Sequence, residues 1–139
     1  MHQPDYRDGA TGEFREPWVY LHAIKDYADM AAHLERHPAV RAVVNFVPVL
    51  LDQLEDYADQ FATGRLRDPL LAALAHDPAL PLAPATRAMI LERCFRANHE
   101  KMVEPYPAYL ALHELYERLA RQGRAAFDYL SDQYFYDLV

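Results

Sequence analysis

Cysteine is nearly absent: Cys94 stands alone among 139 residues. One thiol excludes an internal disulfide framework and a cysteine-based zinc finger. Positive charge is scarce too, with 14 Lys and Arg against 21 Asp and Glu and a formal charge of -7. Phosphate-rich partners require clustered cations, so this balance argues against nucleic acid and against an acidic membrane surface. No apolar run approaches the roughly 18 residues of a membrane span. The opening MHQPDYRDGATGEF has neither the basic region nor the apolar stretch of a signal peptide, so a cytoplasmic location is expected. The chain is also short. A closed β/α barrel takes roughly 250 residues, more than are present, whereas one hydrophobic core is within reach.

What is present is mostly helical pattern. The first 16 residues hold Pro4, Gly9 and Gly12 and read as a loop. Pro17 suits a helix start, and Tyr20, Ile24, Tyr27, Ala31 and Leu34 recur at helical spacing until His37-Pro38 ends the run. Residues 40–47, VRAVVNFV, form the only strongly β-like segment. Short, β-branched and not alternating, it predicts a strand of about residues 41–47 covered on both faces, as in a parallel sheet. A helix follows through Leu50, Leu54, Tyr57 and Phe61, with Gly64 as its C-cap. Asp68-Pro69 predicts an N-cap and first helical residue, and residues 77–84, with three prolines, predict a connection. Further helices are expected over about 85–103 (Met89, Ile90, Cys94 and Ala97 inward), 108–122 and 129–138. The pattern predicts a single, mainly α domain with one short strand, divided into loop-helix-strand-helix over 1–64 and a helical insert over 65–139.

Chemistry-bearing residues fall in three places. Asp29, His33 and His37 recur every four residues, a spacing compatible with either a helical metal site or a solvated face; the solvated face is the simpler account, and no metal or cofactor is expected. Glu92, His99, Glu100, Glu104, His113 and Glu114 lack the Glu-x-x-His pattern of a di-iron bundle and read as surface charge. Cys94 lies on an apolar stripe and reads as a buried thiol rather than a nucleophile. The N-terminal region differs. His2-Gln3-Pro4-Asp5-Tyr6 concentrates hydrogen-bonding and aromatic groups, Trp18 and His22 are spaced i, i+4, and Asn45 lies near the end of the predicted strand. Imidazole, amide and aromatic groups together suit a sugar ring, whose apolar face stacks while its hydroxyls take hydrogen bonds. The same residues also suit an aromatic-rich loop packing on its own helix.

HQPDYRD, GEFREPWVYLHAIKDYADM and VRAVVNFVPVLLDQLEDY together resemble the start of glycoside hydrolase family 57. CFRANHEKMVEPYPAYLALHE and YLSDQYFYDLV resemble the insert that follows in one bacterial branch, so the resemblance covers nearly all of the chain. It implies retaining chemistry on α-glucans, as hydrolysis or as glucan transfer or branching, in an incomplete seven-stranded β/α barrel. It further implies that His2 contacts sugar in the reactive subsite, with Gln3 in the same motif, and that Trp18, His22 and Asn45 lie near the active-site end of the barrel. The two carboxylates that retaining glycosidases need, roughly 5 Å apart, fall in the family beyond the region matched here, so no catalytic residue is expected in this chain.

The resemblance also implies an apolar strand before His-Gln-Pro, where this chain starts inside the motif. The expectation is therefore a truncated N-terminal fragment of the barrel, inactive alone, with at most weak binding of maltooligosaccharide. A parallel-type strand without its neighbours has two open edges. Pairing of two copies through Val43 to Val47, or through exposed apolar helix faces, makes a homodimer the expected assembly. The alternative is a non-catalytic helical module for self-association.

Overall fold

A computed structural model describes residues 1–139. The fold is mainly helical and falls into two compact units, residues 1–72 and residues 73–139. No helix is long and apolar enough to cross a membrane.

In the first unit, residues 1–16 are more ordered than their glycine and proline content predicts. Arg7 and Phe14 face each other in an isolated antiparallel bridge, and Arg15 N–H donates to the Tyr6 carbonyl at 2.9 Å. The turn between them is closed by Asp8, whose Oδ1 accepts from the N–H groups of Ala10 and Thr11 at 2.9 and 3.0 Å. Gly12 completes it at φ +72°, a left-handed angle that glycine adopts without strain.

The first helical run covers residues 18–36. It comprises an α-helical start, Trp18–His22, a π turn, Ala23–Tyr27, and a second α-helical stretch, Ala28–Arg36. The wider π turn rotates everything after it relative to a regular helix. The expected stripe holds in part: Tyr20 and Tyr27 pack against the core and Leu34 is half-buried, whereas Ile24, inside the π turn, is 60% exposed and Ala31 is exposed; Val19, ahead of the turn, is fully buried. His37-Pro38 ends the run as expected.

The predicted strand at 41–47 is not a strand. Residues 39–47 are irregular, and Val40, Val43 and Phe46 face solvent, Val43 completely. A strand exists only as a paired ladder, and this segment forms none: the approach of the Met1 amino group to the Asn45 carbonyl at 2.6 Å does not continue into one. Its β-branched residues favour extended angles, which Val47 shows at φ -86°, ψ 141°.

The helix Pro48–Thr63 starts with proline at its first position, where the missing N–H costs nothing, and ends at Gly64 in the left-handed conformation. Its fully buried positions include Leu50, Gln53 and Gln60, with Tyr57 nearly so. Of the expected face, Leu50 and Tyr57 are buried and Leu54 packs half-buried against the core, while Phe61 is 56% exposed. Phe14, Val19, Leu50, Tyr57 and Leu71 form the core of this unit, with the Phe14 and Tyr57 rings 4.3 Å apart. Asp68 caps the short helix Pro69–Leu74 as predicted, its Oδ1 accepting from Leu70 N–H at 2.9 Å. Its other oxygen accepts from the Tyr57 hydroxyl at 2.6 Å.

In the second unit the helix expected over 85–103 is broken. It runs over Pro84–Cys94, and a separate π turn occupies His99–Val103. Two side chains stabilise the break. The Tyr109 hydroxyl donates to the Cys94 carbonyl, and Asn98 Oδ1 accepts from Lys101 N–H at 3.0 Å. Phe95 turns into the opening, 4.8 Å from the Tyr116 ring and 5.8 Å from Tyr109. The helix Pro107–Ala120 ends before Gly123, and a 3-10 turn, Arg124–Tyr129, leads to the last helix, Asp132–Leu138. Arg87 joins the first and last helices of this unit: it stacks over Phe135 at 4.6 Å and pairs with Asp132 at 3.1 Å. Cys94 is half-buried rather than fully buried, and burial pushes its thiol up to about 11, which leaves little thiolate at neutral pH.

Candidate functional site

Every candidate residue lies in the first unit, and a buried amide supports the segment that carries two of them. Gln53, without solvent exposure, accepts from the Tyr6 N–H through Oε1 at 3.0 Å. Its Nε2 donates to the carbonyls of Pro4 at 2.9 Å and Val49 at 3.0 Å. Helix 48–63 thus holds the backbone of residues 4–6 directly. A buried polar side chain without partners would be destabilising, and here each of its groups is engaged.

Charge reinforces the same attachment. The Arg7 guanidinium meets Asp5 at 2.8 Å, Asp56 at 3.5 Å and also Asp52. Asp52 and Asp56 lie one turn apart on the helix, so one arginine spans the loop and two helical positions. Hydrogen bonds from Arg7 hold the Asp5 carboxyl below the usual carboxylate range, and the same bonds push the guanidinium further up. A second buried amide, Gln60, accepts from the N–H groups of Arg67 at 2.6 Å and Asp68 at 3.1 Å. Phe14 N–H then donates to the Arg67 carbonyl at 3.0 Å, tying the turn to the same support.

On this frame His2 is exposed and Gln3 is half-buried, with Gln3 Oε1 accepting from the Tyr6 hydroxyl at 2.8 Å. Asn45 is exposed, and its carbonyl accepts from the Met1 amino group at 2.6 Å. The His-Gln-Pro segment and Asn45 are therefore neighbours although 43 residues separate His2 from Asn45. Trp18 and His22 lie half-buried one turn apart on the first helix. The His22 Nδ1 meets the Asp26 carboxylate, and its ring stacks on Tyr27 with centroids 6.0 Å apart. Tyr6 and Tyr27 pack against the same core, and Tyr27 contributes electrostatically to raising the Tyr6 hydroxyl above its ordinary range, after burial and Glu16. Two pairs, Gln3 with Tyr6 and His22 with Tyr27, are thus each referred to the same core.

The residues missing from the sequence reading are Gln53 and Gln60, and Tyr27 figures there only as part of the apolar stripe. The two glutamines sit three and ten positions after Leu50, on the face that an apolar pattern assigns to the core. Polar residues on a core face are the signal that marks them. Nowhere does the structure bring three or more His, Cys, Asp or Glu together to hold a metal ion; Asp29 pairs instead with Lys25.

The fold is a helical scaffold carrying an anchored His-Gln-Pro loop, an arrangement in which side chains are displayed on a fixed backbone. The family model of glycosyl hydrolase family 57 matches residues 1–134. The chain belongs to glycosyl hydrolase family 57. Comparison with curated proteins and with solved structures gives no match.

Tyr27 yields a direct check of the site. Its hydroxyl is buried without a hydrogen-bond partner, so Tyr27→Phe should leave stability unchanged or raise it by up to about 1 kcal/mol. Tyr27→Ala, which also removes the ring, should cost about 3 kcal/mol. Urea unfolding measures both, and a loss above about 1 kcal/mol in Tyr27→Phe would mean that the hydroxyl has a partner.

Proposed function

We propose that this chain is the N-terminal part of a retaining, α-glucan-active family 57 catalytic domain, and that it supplies part of the sugar site without the catalytic carboxylates. The observation that carries the reading is the hold of Gln53 on the Pro4 carbonyl and the Tyr6 N–H, directly after His2 and Gln3. The backbone that follows the two side chains is fixed while His2 stays exposed and Gln3 half-exposed, which favours preset donors and acceptors for sugar hydroxyls. Asn45 adds an exposed amide beside the motif. Trp18 supplies an aromatic surface and His22 an imidazole. The acidic balance of the chain suits a neutral polyhydroxyl ligand and disfavours a phosphorylated one.

In this reading residues 41–47 become a strand when a neighbouring strand of an incomplete seven-stranded barrel pairs with them. Their exposure supports it: Val40, Val43 and Phe46 are apolar and exposed. The same observation favours a second reading, a helical module that self-associates into a homodimer through this segment. Light scattering separates the two: a monomer at high concentration contradicts the homodimer. The reaction itself, hydrolysis or glucan transfer, belongs to the carboxylate pair, and this chain alone is inactive.

The test is titration of maltopentaose into the chain and into His2→Ala while following Trp18 fluorescence. Millimolar binding is expected for the unaltered chain, with affinity at least about tenfold weaker in the variant, the loss of one well-placed hydrogen-bonding group. Equal responses in the two, or none in either, contradict a sugar subsite here.

A further inference from the structure

The first helix changes register where its candidate histidine stands. In a regular α-helix, residues five apart point roughly 140° away from each other around the axis. A π turn, with its i to i+5 hydrogen bonds, brings such residues onto one side. Residues 23–27 form that turn, and its effect is visible in the rings: His22 and Tyr27, five apart, stack with planes 28° apart and centroids at 6.0 Å. Asp26, four residues after His22, meets the imidazole at Nδ1. The i, i+4 spacing brings the carboxylate to one nitrogen, and the π turn adds an aromatic ring stacked on the same imidazole.

The His22–Asp26 contact is not explained by stability. The His22 and Asp26 side chains are 36% and 58% exposed, and pairs this open contribute little to folding. A π turn replaces good α-helical hydrogen bonds with poorer ones, and such turns concentrate at functional positions. What the arrangement does provide is orientation. A histidine whose Nδ1–H is taken by a carboxylate has its tautomer and ring plane set, with Nε2 as the remaining acceptor.

We propose that Asp26 and Tyr27 are positioning residues for His22: the carboxylate keeps the proton on Nδ1, the phenol ring fixes the imidazole plane, and Nε2 is presented to a hydroxyl of the glucan. The last element rests on the sugar-site reading above, while the first two stand without it. Tyr27 also packs on the core that carries Tyr6, the partner of Gln3. The orientation of His22 is thereby referred to the same frame that holds the His-Gln-Pro motif.

Nitrogen-15 NMR of the imidazoles at pH 8.5, where an ordinary histidine is neutral, tests the device without ligand. The Nδ1–H form of His22 should exceed the Nε2–H form by about tenfold or more, the ratio a charge-assisted hydrogen bond imposes. Asp26→Ala should return the ring to the mixture of an unconstrained histidine. Asp29→Ala, which removes a carboxylate paired with Lys25 on the same helix, should leave the His22 ratio unchanged, and both variants should unfold at the same urea concentration as the parent. An Nε2–H ring in the parent, or a ratio indifferent to Asp26→Ala, overturns the proposal. Addition of maltopentaose should then shift Nε2 of His22 in the parent and not in Asp26→Ala. A confirmed tautomer with no maltopentaose shift upholds the positioning role and overturns the sugar reading alone.

Discussion

One side-chain amide connects the first unit. Gln53 reaches two backbone groups of the N-terminal loop, the Tyr6 N–H and the Pro4 carbonyl, from inside a helix 47 residues further along the chain. A net hydrogen bond contributes about 1 kcal/mol, whereas leaving a buried donor or acceptor without a partner costs about 1–3 kcal/mol. The asymmetry makes the amide hard to replace. It also accounts for two polar side chains, Gln53 and Gln60, standing fully buried beside Leu50 and Tyr57 on the core face of helix 48–63. The glutamines settle where the backbone has unpaired groups to offer, and the surrounding apolar residues, Phe14, Val19, Leu50 and Tyr57, exclude water from those bonds.

The consequence for function is a division of labour between atoms of the same short segment. Backbone groups of residues 4–6 face the helix and are fixed, while the side chain of His2 faces solvent. Arg7 secures the next position by meeting carboxylates on the loop and on the helix. On the first helix the π turn performs a comparable task for His22 by means of Asp26 and Tyr27. The irregular segment 39–47 joins these parts through the amino group of Met1 at Asn45 and through Val47 against the core, while Val40, Val43 and Phe46 are exposed.

Much of this order was legible from residue types. Prolines at positions 48 and 69 mark first helical residues, Gly64 a left-handed cap, and Asp68 an N-cap, because each follows from local backbone chemistry. The chemical character of His2, Gln3, Trp18, His22 and Asn45, and the resemblance to the family, were likewise apparent. Non-local effects were not. VRAVVNFV has the composition of a strand, but composition does not provide a neighbour to pair with. A π turn leaves no signature in apolar periodicity, so Ile24 was assigned inward and Tyr27 was given only a core role. The break after Cys94 depends on Tyr109, fifteen residues later, taking a carbonyl that the helix would otherwise use.

Amide hydrogen exchange at Tyr6 tests the central claim most directly, because that N–H has Gln53 Oε1 as its acceptor. In the parent chain the Tyr6 amide should be protected, and in Gln53→Leu it should exchange at least about tenfold faster, the loss of about 1.4 kcal/mol or more of local stability. Amides in the middle of helix 48–63 should keep most of their protection and report that the unit is still folded. Gln53→Glu retains an acceptor for the Tyr6 N–H but has no donor for Pro4, and should fall between the two. Unchanged protection of Tyr6 in Gln53→Leu would contradict the account, since the loop would then be held by something other than the buried amide.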